Sequence, residues 1–243
     1  MKQFSKLLGV IGMILTIMSK QPLSAAPVTT TNAVASEKTV ADRLKEYGEV
    51  ARARLKPHFE RAGISYPPKQ LAFVGLKQEK LLEIYARQGT NGFKFVRAYP
   101  VLAASGVAGP KLREGDRQVP EGIYGIEWLN PNSSYHLSMR ISYPSAFDRE
   151  QAAKEQRTKL GGDIMIHGDA RSVGCLAMGD EAAEDFFVLA ADTGIENITV
   201  VLSPVDFREG KTVPPDARLT EWSPALYETI RTKLKEFPKE QKP

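Results

Sequence analysis

Apolar residues recur every three or four positions from Glu37 to about Ala62, at Val40, Leu44, Tyr47, Ala51, Leu55, Phe59 and Ala62. That spacing is one face of an amphipathic helix. Pro57 lies inside the run and is expected to end or kink the helix near Lys56, because proline has no amide to donate. Pro67-Pro68 marks a turn, and beyond it the period shortens. Leu71–Leu76, Leu81–Ala86 and Phe93–Tyr99 predict strands. Ser105–Gly122 is rich in Gly and Pro and reads as loop, and Ile123–Leu129 predicts a further strand. The clearest alternation is Tyr135–Tyr143. Tyr135, Leu137, Met139, Ile141 and Tyr143 form an apolar face, and His136, Ser138, Arg140 and Ser142 a polar one. Ile164–Ile166 and Ile198–Leu202 predict buried strands. A helix is expected from Asp180, as N-cap, to near Gly194, burying Ala183, Phe186, Phe187 and Ala190. Another starts at Ser223-Pro224 and buries Leu226, Ile230 and Leu234, with a frayed tail after it. Many short strands and a few helices predict a mainly β domain with flanking helices, an α+β fold.

The N-terminus follows a different pattern. Lys2 and Lys6 precede an apolar run from Leu7 to Met18, and small residues follow. A positive start, an apolar stretch too short to span a bilayer and small residues describe a signal peptide. It is expected over residues 1–26, with cleavage after Ala26 or as late as Ala35, and residues 27–36 read as a polar linker. The chain is therefore expected to be exported to the periplasm or cell envelope, with no stable membrane span after cleavage. The net charge of +4 includes Lys2, Lys6 and Lys20, so little basicity belongs to the rest of the chain. Nothing in the charge points to nucleic acid as a partner.

Export changes the meaning of the single cysteine. Cys175 cannot close an intramolecular disulfide, so it is either a buried inert hydrophobe or a group kept for its reactivity. Its neighbours bear on the choice. A buried strand ends in His167-Gly168, the cysteine follows His167 by eight residues and is preceded by Gly174, and a helix then begins. A histidine beside a thiol can lower its pKa and carry its proton to a leaving amine. Gly168 and Gly174 allow backbone close to a reacting carbonyl, and the amides of Gly174 and Cys175 are candidate oxyanion donors. Arg171 is a candidate for a substrate carboxylate, and Ser172 a candidate to orient the imidazole. Arg140, with His136 on the polar strand face, would meet an acidic peptide if that face lines the cleft. Only Asp169 offers a third metal ligand nearby, so no metal is expected.

The segment Ile166-His167-Gly168 through Ser172, Gly174-Cys175 and Leu176-Ala177-Met178 resembles the active-site motif of the L,D-transpeptidases of peptidoglycan, the YkuD-type catalytic domain. The runs GPKLREGDRQVPEGIYGI and LNPNSSYHLSMRISYPSAFDR are similar to its YafK-like branch. The resemblance implies a YkuD-like β-sandwich over residues 67–205, preceded by a helical segment, 37–66, and followed by a helical extension, 206–243. It implies Cys175 as nucleophile, His167 as base, Gly174 and Cys175 amides as oxyanion hole, and Ser172 at the family's hydroxyl position before the glycine–cysteine pair. Tyr143 and Asp148 match the family pattern and are expected to shape the site. Val173 stands where the broader family has a second histidine. The implied reaction is attack of Cys175 on a stem-peptide carbonyl of a diaminopimelate residue, a thioester, and transfer to an amine, with no metal or organic cofactor needed. The alternatives are hydrolysis of that thioester, cutting stem peptides or releasing a wall-bound lipoprotein, and a non-catalytic wall-binding module.

Overall fold

The long helix expected near the start forms, and it runs further than its proline suggests. The computed structural model describes residues 37–239, so the expected signal segment and linker lie outside the described residues. Helix α1 spans Val40–Ala62 and opens on a capping box in which Thr39 and Asp42 satisfy each other's amides. It passes through Pro57 unbroken and stops at Gly63, in the left-handed conformation. An internal proline costs about 3 kcal/mol, and contacts on both sides of it offset this. Ala51 and Leu55 before it and Phe59 after it are buried.

The chain then forms β1 (Gln70–Leu76), β2 (Leu81–Arg87), β3 (Lys94–Pro100), β4 (Gly122–Tyr124), β5 (Ile126–Ser133) and β6 (His136–Ile141). Helix α2 (Ala146–Lys154), β7 (Met165–His167), β8 (Leu176–Ala177), α3 (Asp180–Thr193), β9 (Ile198–Ser203) and α4 (Ser223–Leu234) follow. Two sheets result among the described residues. One has the order β3-β2-β1-β9-β4, and the other β5-β6-β7-β8. The run Ile123–Leu129, expected as one strand, is two. It divides at Gly125, with β4 in the first sheet beside β9 and β5 in the second beside β6. β1 pairs in parallel with β9, so the start and end of the domain close on each other.

The main core lies between the sheets and includes Phe73, Ile84, Leu137, Met139, Ile166 and, from α3, Phe186 and Phe187. The far face of the five-stranded sheet is covered by α4 through Leu226, Tyr227, Ile230 and Leu234 against Ala72, Val74 and Val201. β1 is thus buried on both faces, which is why it reads as an unbroken apolar run. Helix α2 has no counterpart among the expected elements, although Ser145 and Asp148 form a capping box of the S-x-x-D type in the sequence. Helix α3 is capped at Gly179 with no side-chain cap bond, one residue before the expected Asp180. Asp180 instead holds the loop after β7, where its Oδ1 accepts the Asp169 amide at 2.8 Å.

Charge pairs lock α1 to α3. Arg52 grips Asp192 through two hydrogen bonds of 2.7 and 2.8 Å, and Arg54 grips Asp185 and Glu184, each at 2.8 Å. Asp185 is fully buried and also accepts the Tyr99 hydroxyl at 2.7 Å. Removing one partner of a buried pair costs about 3–5 kcal/mol, because the other is left uncompensated. Asp185→Ala is therefore expected to lower unfolding stability by about that amount. An unchanged urea midpoint would show that water replaces the carboxylate.

Candidate active site

Strand register brings the candidate residues onto one face. Ser138 of β6 pairs with His167 of β7, and Arg140 with Met165. His167 in turn pairs with Ala177 of β8, and Ile166 with Leu176. One step back along that register Met165 meets Cys175, and its amide donates to Cys175 Sγ at 3.4 Å. Paired residues share a face, and faces alternate along a strand. Leu137, Met139, Ile166 and Leu176 fill the core. Cys175, His167, Ser138 and Arg140 therefore occupy the opposite face.

His167 is almost completely buried, and its Nδ1 stands 2.6 Å from the Gly168 carbonyl oxygen. A carbonyl only accepts, so Nδ1 carries the proton and donates it. The neutral imidazole then presents Nε2 as an unprotonated base. The orienting group is thus the next residue's carbonyl and not Ser172. Tyr135 stacks on the ring at 4.8 Å between centroids. Burial pushes the His167 pKa below its ordinary value, against the opposing pull of the Gly168 carbonyl and the Asp169 carboxylate.

The Cys175 thiol is pushed up by burial and by Asp163, and held back by the Met165 amide and Lys111. Its Sγ–H faces the Asp163 carbonyl oxygen at 3.6 Å. No hydrogen bond joins Sγ to His167 among the described residues. The two shifts favour a neutral thiol and a neutral imidazole. The low-pKa thiolate expected from the sequence is not what the surroundings favour, because desolvation opposes both charges.

The two amides expected as oxyanion donors are engaged. Gly174 N–H donates to Ser105 Oγ at 2.6 Å, and Cys175 N–H to Ser172 Oγ at 3.0 Å. Ser172 Oγ donates in turn to the Cys175 carbonyl at 2.5 Å, a local turn closed by a hydroxyl. An oxyanion reaches these donors only by replacing the serines. Ser105 has no signal in the sequence, since it lies 69 residues from Gly174 and arrives through a segment bonded to Ala177.

The two glycines serve different needs. Gly174 has φ +88, and a Cβ there would meet nothing nearer than the Gln118 carbonyl oxygen at 3.8 Å, so its conformation and not crowding demands glycine. At Gly168 a Cβ would stand 2.6 Å from Asp180 Oδ1 and 2.7 Å from the Tyr135 carbonyl oxygen, so close packing demands it. Arg171, the candidate carboxylate binder, is 85% exposed and pairs with its own neighbour Asp169 at 3.0 Å. His136 leaves the polar face that alternation assigns it. Its backbone is left-handed (φ 68), which breaks the alternation. Its ring packs on Tyr47 of α1 and reaches Glu184 of α3 at 3.1 Å, and Tyr135 turns to His167 instead. Tyr143 donates its hydroxyl to the Lys111 carbonyl, and Asp148 belongs to the capping box of α2.

The Gly/Pro-rich stretch is a built loop. Asp116 accepts from Lys111 and from the amides of Leu112, Arg113 and Gln118. Gln118 bonds Val107, and buried Glu121 bonds Lys77 and the Gly109 amide. These bonds fix one flank of the thiol. Among the described residues no group of three His, Cys, Asp or Glu side chains could hold a metal ion. No helix among them is long and apolar enough to cross a membrane.

The chain is similar to known proteins. The chain is 34% identical over 113 residues to the "Putative L,D-transpeptidase YafK" of Escherichia coli K12, a match over 46% of this chain and 43% of that protein. The match thus spans less than half the length of that relative. Among solved structures, the helical cell shape determining protein Pgp2 of Campylobacter jejuni is similar at 23% identity and a TM-score of 0.47, over 58% of this chain and 50% of that one. Bdellovibrio bacteriovorus Bd1075 is similar at 17% identity and a TM-score of 0.42, over 70% and 56%. The family model of the YkuD L,D-transpeptidase catalytic domain matches residues 69–205, from β1 to the end of β9 with the cysteine face between them, and the chain belongs to that family.

Proposed function

We propose that the chain is an exported cysteine enzyme of the cell envelope that forms a thioester with peptidoglycan stem peptides and passes it to an amine. The observation that carries this reading is the shared face of Cys175 and His167, with Nε2 left as the free imidazole nitrogen. Sγ turns from the Asp163 carbonyl toward Nε2, which takes its proton as sulfur attacks the stem carbonyl. The imidazolium then protonates the leaving amine, and the thioester is resolved by an incoming amine that returns a proton to Nε2. The Gly174 and Cys175 amides exchange Ser105 and Ser172 for the oxyanion. Family membership supports peptidoglycan as substrate.

The test is product analysis. Peptidoglycan incubated with the protein is expected to yield new cross-links between stem third residues, read by mass spectrometry of muropeptides. Shortened stems or freed lipoprotein without cross-links would replace transfer by hydrolysis at the same thioester. Unchanged muropeptides would sink the reading.

A further inference from the structure

The face that holds the thiol also carries a charged group that proton transfer does not use. Arg140 lies in the Cys175 row, opposite Met165, with Trp128 on its other side. Its Nη1 is 3.1 Å from Asp163 Oδ1 and its Nε 3.1 Å from Glu127 Oε2. The Nε is shielded from solvent, and the Glu127 contact is not aligned as a hydrogen bond, so this donor has no partner among the described residues. The Asp163 side chain is 78% exposed, while its main-chain carbonyl faces Sγ. A left-handed backbone (φ 53) in a residue other than glycine holds Asp163 in this double position. A cation and two carboxylates thus stand together on one side of the nucleophile.

We propose that Arg140, with Asp163 and Glu127, is a subsite for a zwitterionic side-chain end, an ammonium and a carboxylate on one carbon, of the residue whose carbonyl Cys175 attacks. This rests on the stem-peptide reading above. The substrate carboxylate takes the guanidinium edge now held by Asp163, a planar fork suited to it. The ammonium takes the carboxylate of Asp163 that this exchange frees, with Glu127 beside it. Each charge keeps a partner through the exchange. The reach also fits. Two strand spacings of about 4.8 Å separate the Arg140 and Cys175 backbones. In a diamino dicarboxylic residue the two carboxyl carbons are six C–C bonds apart, roughly 7–8 Å when extended. A lysine side chain brings the ammonium alone, and an amidated end brings no anion. Neither displaces Asp163 from Arg140.

The experiment compares tetrapeptide stems carrying diaminopimelate, lysine or amidated diaminopimelate at the third position, using the full chain and its R140Q and D163N variants. Asp163→Asn keeps the carbonyl that faces the thiol and is close in size, so it serves if Arg140→Gln fails to fold. Wild type is expected to favour the diaminopimelate stem in kcat/KM by at least about tenfold, the worth of one charge-assisted hydrogen bond. Arg140→Gln is expected to bring that ratio to about twofold or less, whereas Asp163→Asn, which leaves Arg140 to the carboxylate and takes away the partner of the ammonium, is expected to keep the preference and lower kcat/KM on the diaminopimelate stem. A wild-type ratio near one, a preference kept by Arg140→Gln, or an unchanged kcat/KM of Asp163→Asn on the diaminopimelate stem overturns the subsite and leaves the stem reading intact. A wild type that turns over no stem, while its thiol still takes a carbapenem, overturns the stem reading and the subsite with it.

Discussion

Cys175→Ala is expected to take up no carbapenem, where the wild-type chain gains the mass of one molecule per protein. The reason is an inventory of nucleophiles. Cys175 is the only cysteine in the chain, so no second thiol can form a thioester in its place. Loss of a nucleophile that works with a base costs several orders of magnitude, about 10⁴ or more. The fold is expected to survive, because among the described residues Sγ makes two long hydrogen bonds, at 3.4 and 3.6 Å. Intact mass and a urea midpoint on one preparation separate loss of chemistry from loss of structure. An equal adduct on the variant would place the acylated group elsewhere.

His167→Ala is expected to slow acylation at pH 7 by about 10²–10⁴, the usual worth of a positioned general base. The pH profile tells the base from a merely structural histidine. Burial lowers the His167 pKa, so wild-type imidazole is neutral through the neutral range. The wild-type rate falls only as pH drops through that lowered value, below about 6.5. The thiol pKa is raised, so no thiolate plateau exists near pH 7. Without the imidazole the rate is expected to lose its acid limb and climb about tenfold per pH unit, until the raised thiol pKa is passed. A variant that is slower but keeps the wild-type profile would assign His167 to packing. Stability carries the same sign. A histidine with a lowered folded pKa favours the fold above about pH 6.5, and that contribution is lost as pH falls through the folded value.

What is legible in the sequence follows from period and local chemistry. Alternation along residues 137–141 fixes which side chains fill the core, and the apolar run of β1 marks a strand covered on both faces. The lone cysteine eight residues after a strand-end histidine, with glycine before it, points to a thiol–imidazole pair and a family. Expectation and structure part where a local rule meets a distant partner. Pro57 should interrupt α1, but burial of Leu55 and Phe59 on either side carries the helix through. Alternation places His136 beside Arg140, but a single left-handed residue sends its ring to α3 and brings Tyr135 over the base.

The sequence by itself determined most of the elements, the core faces and a candidate thiol–imidazole pair, because these depend on residues a few positions apart. Only the tertiary structure decided the state of the site. The Gly168 carbonyl selects the imidazole tautomer, Ser105 from a distant segment occupies an oxyanion donor, and burial keeps thiol and imidazole neutral. Hydrogen-bond partners and desolvation are properties of the packed chain, set by groups that approach from elsewhere in the sequence.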